Sequence, residues 1–284
     1  MRNKTALDRL RRDNRAISPA ISTTIITSAI ISMLLVTVLF ANNYLNARMA
    51  ENEFSSMKQF MQTIGLQIDD VAWTVGRTQT IRYASKFGQV SFQNATLNYS
   101  LYVNNMWIAN FTTGALMFNM PTDKYTIANS YSELIFPSSN SSFLQQGTSA
   151  PVSHVFLIER VPMKDGSYIR VVATPSIRRL NSTISTGNAT SYYNYYNYYL
   201  PILTTQPGNN SHLSQSVTIA ATSVKIQTIK NANNINITLD FPKSTLGFDS
   251  GFFNFDSTNY YENLNGGTVE FYTGDVTVSL GLYS

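Results

Sequence analysis

The sequence contains no cysteine and only two histidines among its 284 residues. Without cysteine the chain can form no disulfide, thiol nucleophile or cysteine-bound metal site. His154 and His212 are far apart in sequence, and two isolated histidines make poor zinc ligands. The sequence also lacks the P-loop, G-x-S-x-G, H-E-x-x-H and G-x-G-x-x-G motifs. We therefore expect a protein that is not an enzyme and that needs no metal or cofactor.

Charge is absent from Ala16 to Ala47. Within that stretch Ile17–Ala41 would span about 37 Å as a helix, which is enough to cross a hydrocarbon core of about 30 Å. Six basic residues precede it: Arg2, Lys4, Arg9, Arg11, Arg12 and Arg15. Because basic flanks stay in the cytoplasm, we expect a single-pass membrane protein with residues 1–16 inside and everything after Asn42 outside.

The remainder of the chain has no excess charge. The first 16 residues hold 6 of the 20 basic and 2 of the 16 acidic residues, which leaves 14 of each. The formal net charge of +4 therefore belongs to the N-terminal segment, and the rest has no basic excess with which to bind nucleic acid.

Apolar residues continue at helical spacing beyond the charge-free stretch. They recur every three or four positions, with polar residues between them, at Met57, Phe60, Met61, Ile64, Ile68, Val71, Ala72 and Val75. This periodicity predicts one continuous helix from about Ser18 to about Val75, with an amphipathic part over residues 42–76. Gly65 is its only helix-breaking residue.

Residues 77–284 carry strand patterns, and they predict a β-rich head. We expect a strand at Leu97–Val103 and a hairpin of Val152–Val161 with Ser167–Thr174. We expect a second strand pair, Val217–Ile229 with Ile235–Phe241, separated by Asn-rich turn residues. Two more short strands are expected within Thr268–Leu282, about a turn at Thr273-Gly274-Asp275. The Tyr/Asn-rich residues 181–216 are expected to form a long surface excursion or a boundary between two halves of the head. The predicted fold class is α+β: a long helix followed by an antiparallel, sandwich-like head.

Acidic residues near the C-terminus leave two chemical alternatives open. Five of them lie close together in sequence: Asp249, Asp256, Glu262, Glu270 and Asp275. Such a group could bind calcium or supply the two carboxylates of a glycosidase, although its spacing matches no calcium-binding loop. Asp69 and Asp70 form an adjacent acidic pair. Because helix neighbours point about 100° apart, we expect these two side chains to lie on a solvated helix face.

The junction Arg15-Ala16 followed by Ile17-Ser18-Pro19 resembles the class III signal peptide of archaeal type IV pilins and pilin-like proteins. In that family a membrane-embedded prepilin peptidase removes the charged leader on the cytoplasmic side. The resemblance implies a cut between Ala16 and Ile17, after which the retained helix leaves the bilayer and joins a filament core. It covers roughly Arg11 to Val75, and it implies an archaeal source.

We call the apolar part of the predicted helix, Ile17–Ala41, the stem. Small residues stand four apart along it, at Ala20, Thr24, Ser28 and Ser32. Such a stripe lets helices approach one another closely. Larger apolar side chains, among them Ile26 and Leu35, would fill the remaining surface of an assembly helix.

The predicted outer part of the chain contains eight Asn-x-Ser/Thr sequons, which are acceptor sites for N-glycans on exported proteins. They begin at Asn94, Asn98, Asn110, Asn140, Asn181, Asn188, Asn209 and Asn236.

These patterns together favour a pilin-like subunit of a surface filament. The size of its head is more typical of a minor or adhesive subunit than of a bulk one. Its expected partners are the peptidase, copies of itself or other pilin-like subunits, the membrane and surface glycans. One alternative is a membrane-tethered extracellular binding module that never polymerises, and another is an exported glycan-active enzyme.

Overall fold

The computed structural model describes residues 19–138, 141–185, 192–205 and 216–281. Two α-helices occur in these ranges, α1 at Pro19–Ala72 and α2 at Ser250–Phe253, with a short 3-10 helix at Ser244–Leu246. The strands are β1 Thr78–Arg82, β2 Gln89–Val103, β3 Met106–Pro121, β4 Tyr131–Phe136, β5 Leu144–Gln146, β6 Ser153–Glu159, β7 Tyr168–Pro175, β8 Ile177–Ser185, β9 Tyr192–Thr205, β10 Ser216–Asp240 and β11 Asn259–Leu280.

The chain is a long apolar helix followed by a large, mostly antiparallel β-sheet region, so the α+β prediction is confirmed. The chain divides into two compact units after Met49, and the second unit, from Ala50 onward, contains all of the described strands. The predicted helix ends differ little from the observed ones. Helix α1 ends at Ala72 because the chain turns there, with Thr74 and Arg77 donating backbone hydrogen bonds to Val71 and Thr74.

Residues 50–72 of α1 pack one face against the sheet. The amphipathic pattern is confirmed, because six of the eight side chains on the predicted apolar face are at most 1% exposed: Met57, Met61, Ile64, Ile68, Val71 and Ala72. They share a core with residues of β3, β6, β7, β10 and β11. Phe60 is only half-buried and Val75 is exposed, because Val75 follows the last helical turn.

Gly65 marks the closest approach of α1 to the sheet and does not break the helix. A Cβ atom there would lie 2.8 Å from the Val155 side chain. The hydroxyl of Ser153 donates to the Gly65 carbonyl at 2.7 Å. The glycine is therefore needed for packing, and it lets strand β6 lie against the helix backbone.

Backbone hydrogen bonds join ten strands in the order β4-β6-β7-β3-β2-β10-β11-β9-β8-β5, and β1 pairs with the start of β10. Most pairs are antiparallel, but β9 runs parallel to β11 and β5 runs parallel to β8. Because the pairing is one continuous path, the predicted sandwich is not confirmed. The strand at Leu97–Val103 and the β6–β7 hairpin are confirmed.

Two expected hairpins are single long strands instead. Strand β10 runs through Asn231 with register shifts at Ile229–Ala232 and Ala232–Asn234, so its asparagines form bulges where a turn was expected. Strand β11 likewise runs through Gly274, which pairs with Val224. Turn-type residues are also typical of bulges and of close backbone approach, and periodicity alone does not distinguish these cases.

The expectation of a surface excursion is wrong for residues 192–205. These residues form β9, which pairs with β8 on one side and β11 on the other. Alternate side chains, Tyr196, Tyr198 and Leu200, are buried in a core that also holds Phe271. Tyr196 and Tyr198 thus serve as large strand residues whose rings are buried, although the composition of β9 resembles that of a polar loop.

Candidate assembly surface

The exposed part of α1 is almost entirely apolar. Large side chains there are 52–76% exposed between Ile21 and Phe40, among them Ile26, Ile31, Met33, Leu35 and Phe40. By length and composition α1 is the one helix of the described chain that could cross a membrane, and none of its most apolar stretch is buried. Exposed apolar surface on this scale is typical of a segment covered by lipid or by protein.

Two hydroxyl groups of the stem bond within the helix. Thr27 donates to the carbonyl of Thr23 at 2.8 Å, and Thr37 donates to that of Met33 at 2.7 Å. These bonds leave the two hydroxyls satisfied without water, so they can enter an apolar environment at low cost. These two threonines are therefore compatible with burial in lipid or in a helix bundle.

Five of the six predicted assembly residues lie on one side of α1, and the sixth lies opposite them. Ala20 lies in α1, and Thr24, Ser28 and Ser32 are exposed on it. At about 100° per residue, Leu35 lies on the same side as Thr24 and Ser28, whereas Ile26 lies on the opposite side. The predicted cut between Ala16 and Ile17 lies outside the described residues.

An aromatic and a basic side chain lie at the end of the charge-free stretch. The Arg48 guanidinium lies 5.5 Å from the centre of the Tyr44 ring, and its Nε donates to the Tyr44 hydroxyl at 3.3 Å. Aromatic and basic residues are enriched where a membrane helix meets the headgroups. Both residues lie shortly after Asn42, where the sequence predicts the outer boundary of the membrane.

Sequence reasoning missed Glu53, which ties α1 to the head. Its carboxylate accepts backbone N–H groups of Lys86, Phe87 and Gly88 at 2.8–3.2 Å and the Ser85 hydroxyl at 2.5 Å. A carboxylate bonded to several donors holds a loop firmly. No local signal could have found it, because its partners lie more than 30 positions away in sequence.

The Asp69–Asp70 pair also has a larger role than the predicted solvated face. Asp69 accepts from Arg178 at 2.9 Å and from the Trp73 indole at 2.8 Å. Arg178 in turn lies 5.1 Å from the centre of the Tyr199 ring. Asp70 pairs with Arg77. The last turns of α1 are thereby held to β8 and β9 by charge and aromatic contacts.

His154 is a core residue. It is 1% exposed, its Nε2 lies 2.7 Å from the Gln145 amide nitrogen, and its ring meets Phe255 edge-on at 5.5 Å. Burial lowers the pKa of His154 to about 4. The imidazole is therefore neutral at ordinary pH. His212 lies outside the described residues.

This buried histidine predicts acid sensitivity. Since the folded pKa lies below the unfolded value of about 6.5, the unfolded chain binds more protons and stability falls as pH drops from about 6.5 to about 4. Between pH 7 and pH 5 the loss from this residue should be about 2 kcal/mol. Denaturant unfolding of the wild type and of His154→Gln at both pH values measures it. An equally steep pH dependence in the variant would contradict the assignment.

The C-terminal acidic residues each have a separate partner. Asp249 pairs with Arg160 at 2.6 Å, and this bond lowers the pKa of Asp249. Asp275 pairs with Lys225 at 2.7 Å. The others bond to hydroxyl or guanidinium groups: Asp256 to Ser141, Glu262 to Arg179 and Tyr260, and Glu270 to Tyr272. Within the described ranges no group of three or more acidic or histidine side chains is placed to hold a metal ion.

The sequons differ in accessibility. Asn94, Asn110 and Asn181 are exposed, whereas Asn98 and Asn236 are half-buried. Asn140, Asn188 and Asn209 lie outside the described residues. The exposed three offer a side-chain amide at the surface, which a glycan requires.

Comparison of the chain with protein-family models, with curated proteins and with solved structures finds no match.

Proposed function

We propose that this protein is a pilin-like subunit that assembles into a surface filament through its N-terminal helix. One observation carries the proposal: a single helix is wholly exposed and apolar in its first part and amphipathic and packed on the head in its second. Burying the first part against copies of itself would be worth on the order of tens of kcal/mol before ordering costs. The head would then remain outside the filament core, free to contact surfaces or neighbouring heads.

The charged leader explains how one helix could serve two states. While residues 1–16 remain attached, their basic groups hold the helix end at the cytoplasmic face. Once the leader is removed after Ala16, that electrostatic hold is lost and the helix can transfer from lipid to protein. A membrane-tethered binding module would keep the leader and stay dispersed in the membrane. Removal of the leader therefore distinguishes a pilin-like subunit from a tethered module.

Replacement of Ala16 tests this proposal. We expect Ala16→Leu to block cleavage, because a small residue precedes the junction in the class III signal. The variant should retain Met1 and run about 2 kDa heavier, a mass difference measurable on protein recovered from an archaeal host that expresses a prepilin peptidase. Ala20→Leu is the matched control, and it should be cut normally. Wild-type protein that keeps Met1 in this host would support the tethered module instead.

A further inference from the structure

An open cavity of about 250 Å³ lies in the head, where β9, β10 and β11 meet. Two tyrosines, three asparagines and one lysine contribute to its lining: Tyr193, Tyr195, Asn194, Asn231, Asn265 and Lys230. Gly266, Gly267 and Thr268 complete the lining. At roughly 30 Å³ per water, this volume is that of about eight water molecules, which is enough for one six-membered sugar ring.

The cavity arises because two paired strands bulge at the same place. Asn231 on β10 and Asn265 on β11 both have φ near +50°, and Gly266 follows at +79°. Between the pairs Ala232–Gly267 and Asn234–Asn263, β11 carries three residues opposite one on β10. Paired bulges push both strands outward and leave a recess between them.

The recess is held in shape by its surroundings. The Asn104 side chain donates to the Asn231 carbonyl at 3.2 Å and accepts from the Asn233 N–H at 2.7 Å. On the other wall, a Cβ atom on Gly267 would lie 2.5 Å from the Tyr196 ring, so β9 packs directly on the β11 backbone. A Cβ atom on Gly266 would meet nothing within 4 Å, which leaves that side open to a ligand. A site fixed in this way binds without a large ordering cost.

The chemistry of the lining selects the ligand class. No carboxylate contributes to it among the described residues, which argues against a hard metal ion. Lys230 is the one cation that the described part of the chain contributes to it, which is too little for a nucleotide or a polyanion. Amide groups both donate and accept hydrogen bonds, as neighbouring sugar hydroxyls do, and tyrosine rings offer apolar faces for the C–H face of a pyranose.

From this geometry we infer that the recess is a binding site for a neutral monosaccharide unit, taken as the end of a surface glycan. Asn231 and Asn265 would bond to ring hydroxyls, and Tyr193, which is 57% exposed, would cover the apolar face of the sugar. The inference concerns the head alone and does not require that the protein polymerise. It assigns a ligand class to the head, whereas the proposal of assembly through the stem says nothing about what the head binds.

Saturation-transfer NMR on the full chain in detergent tests the site, with glucose, galactose, mannose and N-acetylglucosamine as separate probes. We expect at least one of these sugars to bind. Asn231→Gly and Asn265→Gly keep the positive φ while removing the amide, and each should weaken binding about tenfold. Tyr193→Ala should weaken it by a similar factor.

Tyr261→Ala is the matched control, because Tyr261 is equally exposed at 56% and is not part of the lining. It should leave sugar binding unchanged. The inference is overturned if none of the four sugars binds, or if binding survives in both glycine variants while their unfolding midpoints match the wild type. It is also overturned if inorganic phosphate displaces the sugar and Lys230→Gln abolishes binding of both, since the recess would then be an anion site.

Discussion

Leu35→Glu should abolish filament formation while leaving the head folded and the protein in the membrane. Leu35 is 61% exposed on α1, within the charge-free stretch. One charged residue at the centre of a membrane helix costs roughly 3 kcal/mol on insertion scales, and the remaining apolar residues of the stem can offset that cost. In a filament the same carboxylate recurs in every subunit and is buried without a partner, which costs several kcal/mol per copy.

Ile26→Glu distinguishes a filament core from a simpler helix pair. Ile26 and Leu35 are nine residues apart, so they lie on opposite sides of the helix. In a filament core the stem is surrounded by other stems, and both variants should fail to assemble. If stems only pair through the face that carries Thr24 and Ser28, Leu35→Glu should fail and Ile26→Glu should not. Electron microscopy of filaments sheared from cells, with membrane fractionation, measures both outcomes.

Leu66→Glu supplies the matched control for these two variants. Leu66 is 50% exposed on the same helix, beyond the charge-free stretch, where polar residues already occur. Its filaments should match the wild type in number. Filaments formed equally well by all three variants would refute assembly through the stem.

The helix could be predicted because its signals are local. An apolar stretch without charge and a period of three to four residues each depend on neighbours in sequence, and the buried face from Met57 to Ala72 follows directly. The β6–β7 hairpin was predictable for the same reason, because its strands flank a short Lys-Asp-Gly turn. Such features need no knowledge of distant partners.

The sheet was harder to predict because the same residue types serve turns and bulges. Asn231 and Gly274 are residue types that favour turns, yet β10 and β11 continue through them, since each strand has a long partner that holds it extended. The mixture of tyrosine and asparagine in β9 is typical of a polar loop, but Tyr196 and Tyr198 are buried in the sheet, where β11 lies alongside in parallel.

The contacts that complete the head were beyond sequence reasoning altogether. Glu53 reaches the loop at Lys86–Gly88, Asp69 reaches Arg178, and Asn104 supports the wall of the recess at Asn231. Each of these contacts joins two segments that lie 33 to 127 positions apart in the sequence and meet only in the folded protein. The stem could therefore be proposed as a functional surface from sequence, whereas the recess in the head could not.

Gly274→Ala should strongly destabilise the head, because it separates the end of α1 from the sheet. Gly274 has an ordinary φ, so its role is space and not backbone conformation. A Cβ atom there would lie 2.3 Å from the carbonyl oxygen of Ala72 and 3.0 Å from its carbonyl carbon. Both obstacles are backbone, which no rotamer change can move, so we expect a loss of about 3 kcal/mol.

Denaturant unfolding of the full chain in detergent measures this loss, with Gly251→Ala as the control. A Cβ atom on Gly251 would meet only the Asp249 carboxylate at 3.3 Å and the Arg160 guanidinium at 3.8 Å, which are mobile side-chain ends. Its cost should stay below about 1 kcal/mol. Because Glu53 and Asp69 would still hold α1 at other points, the head of the Gly274 variant should open first near Ala72, seen as faster amide exchange there. Equal stability of the two variants would show that α1 does not rest on β11 at this point.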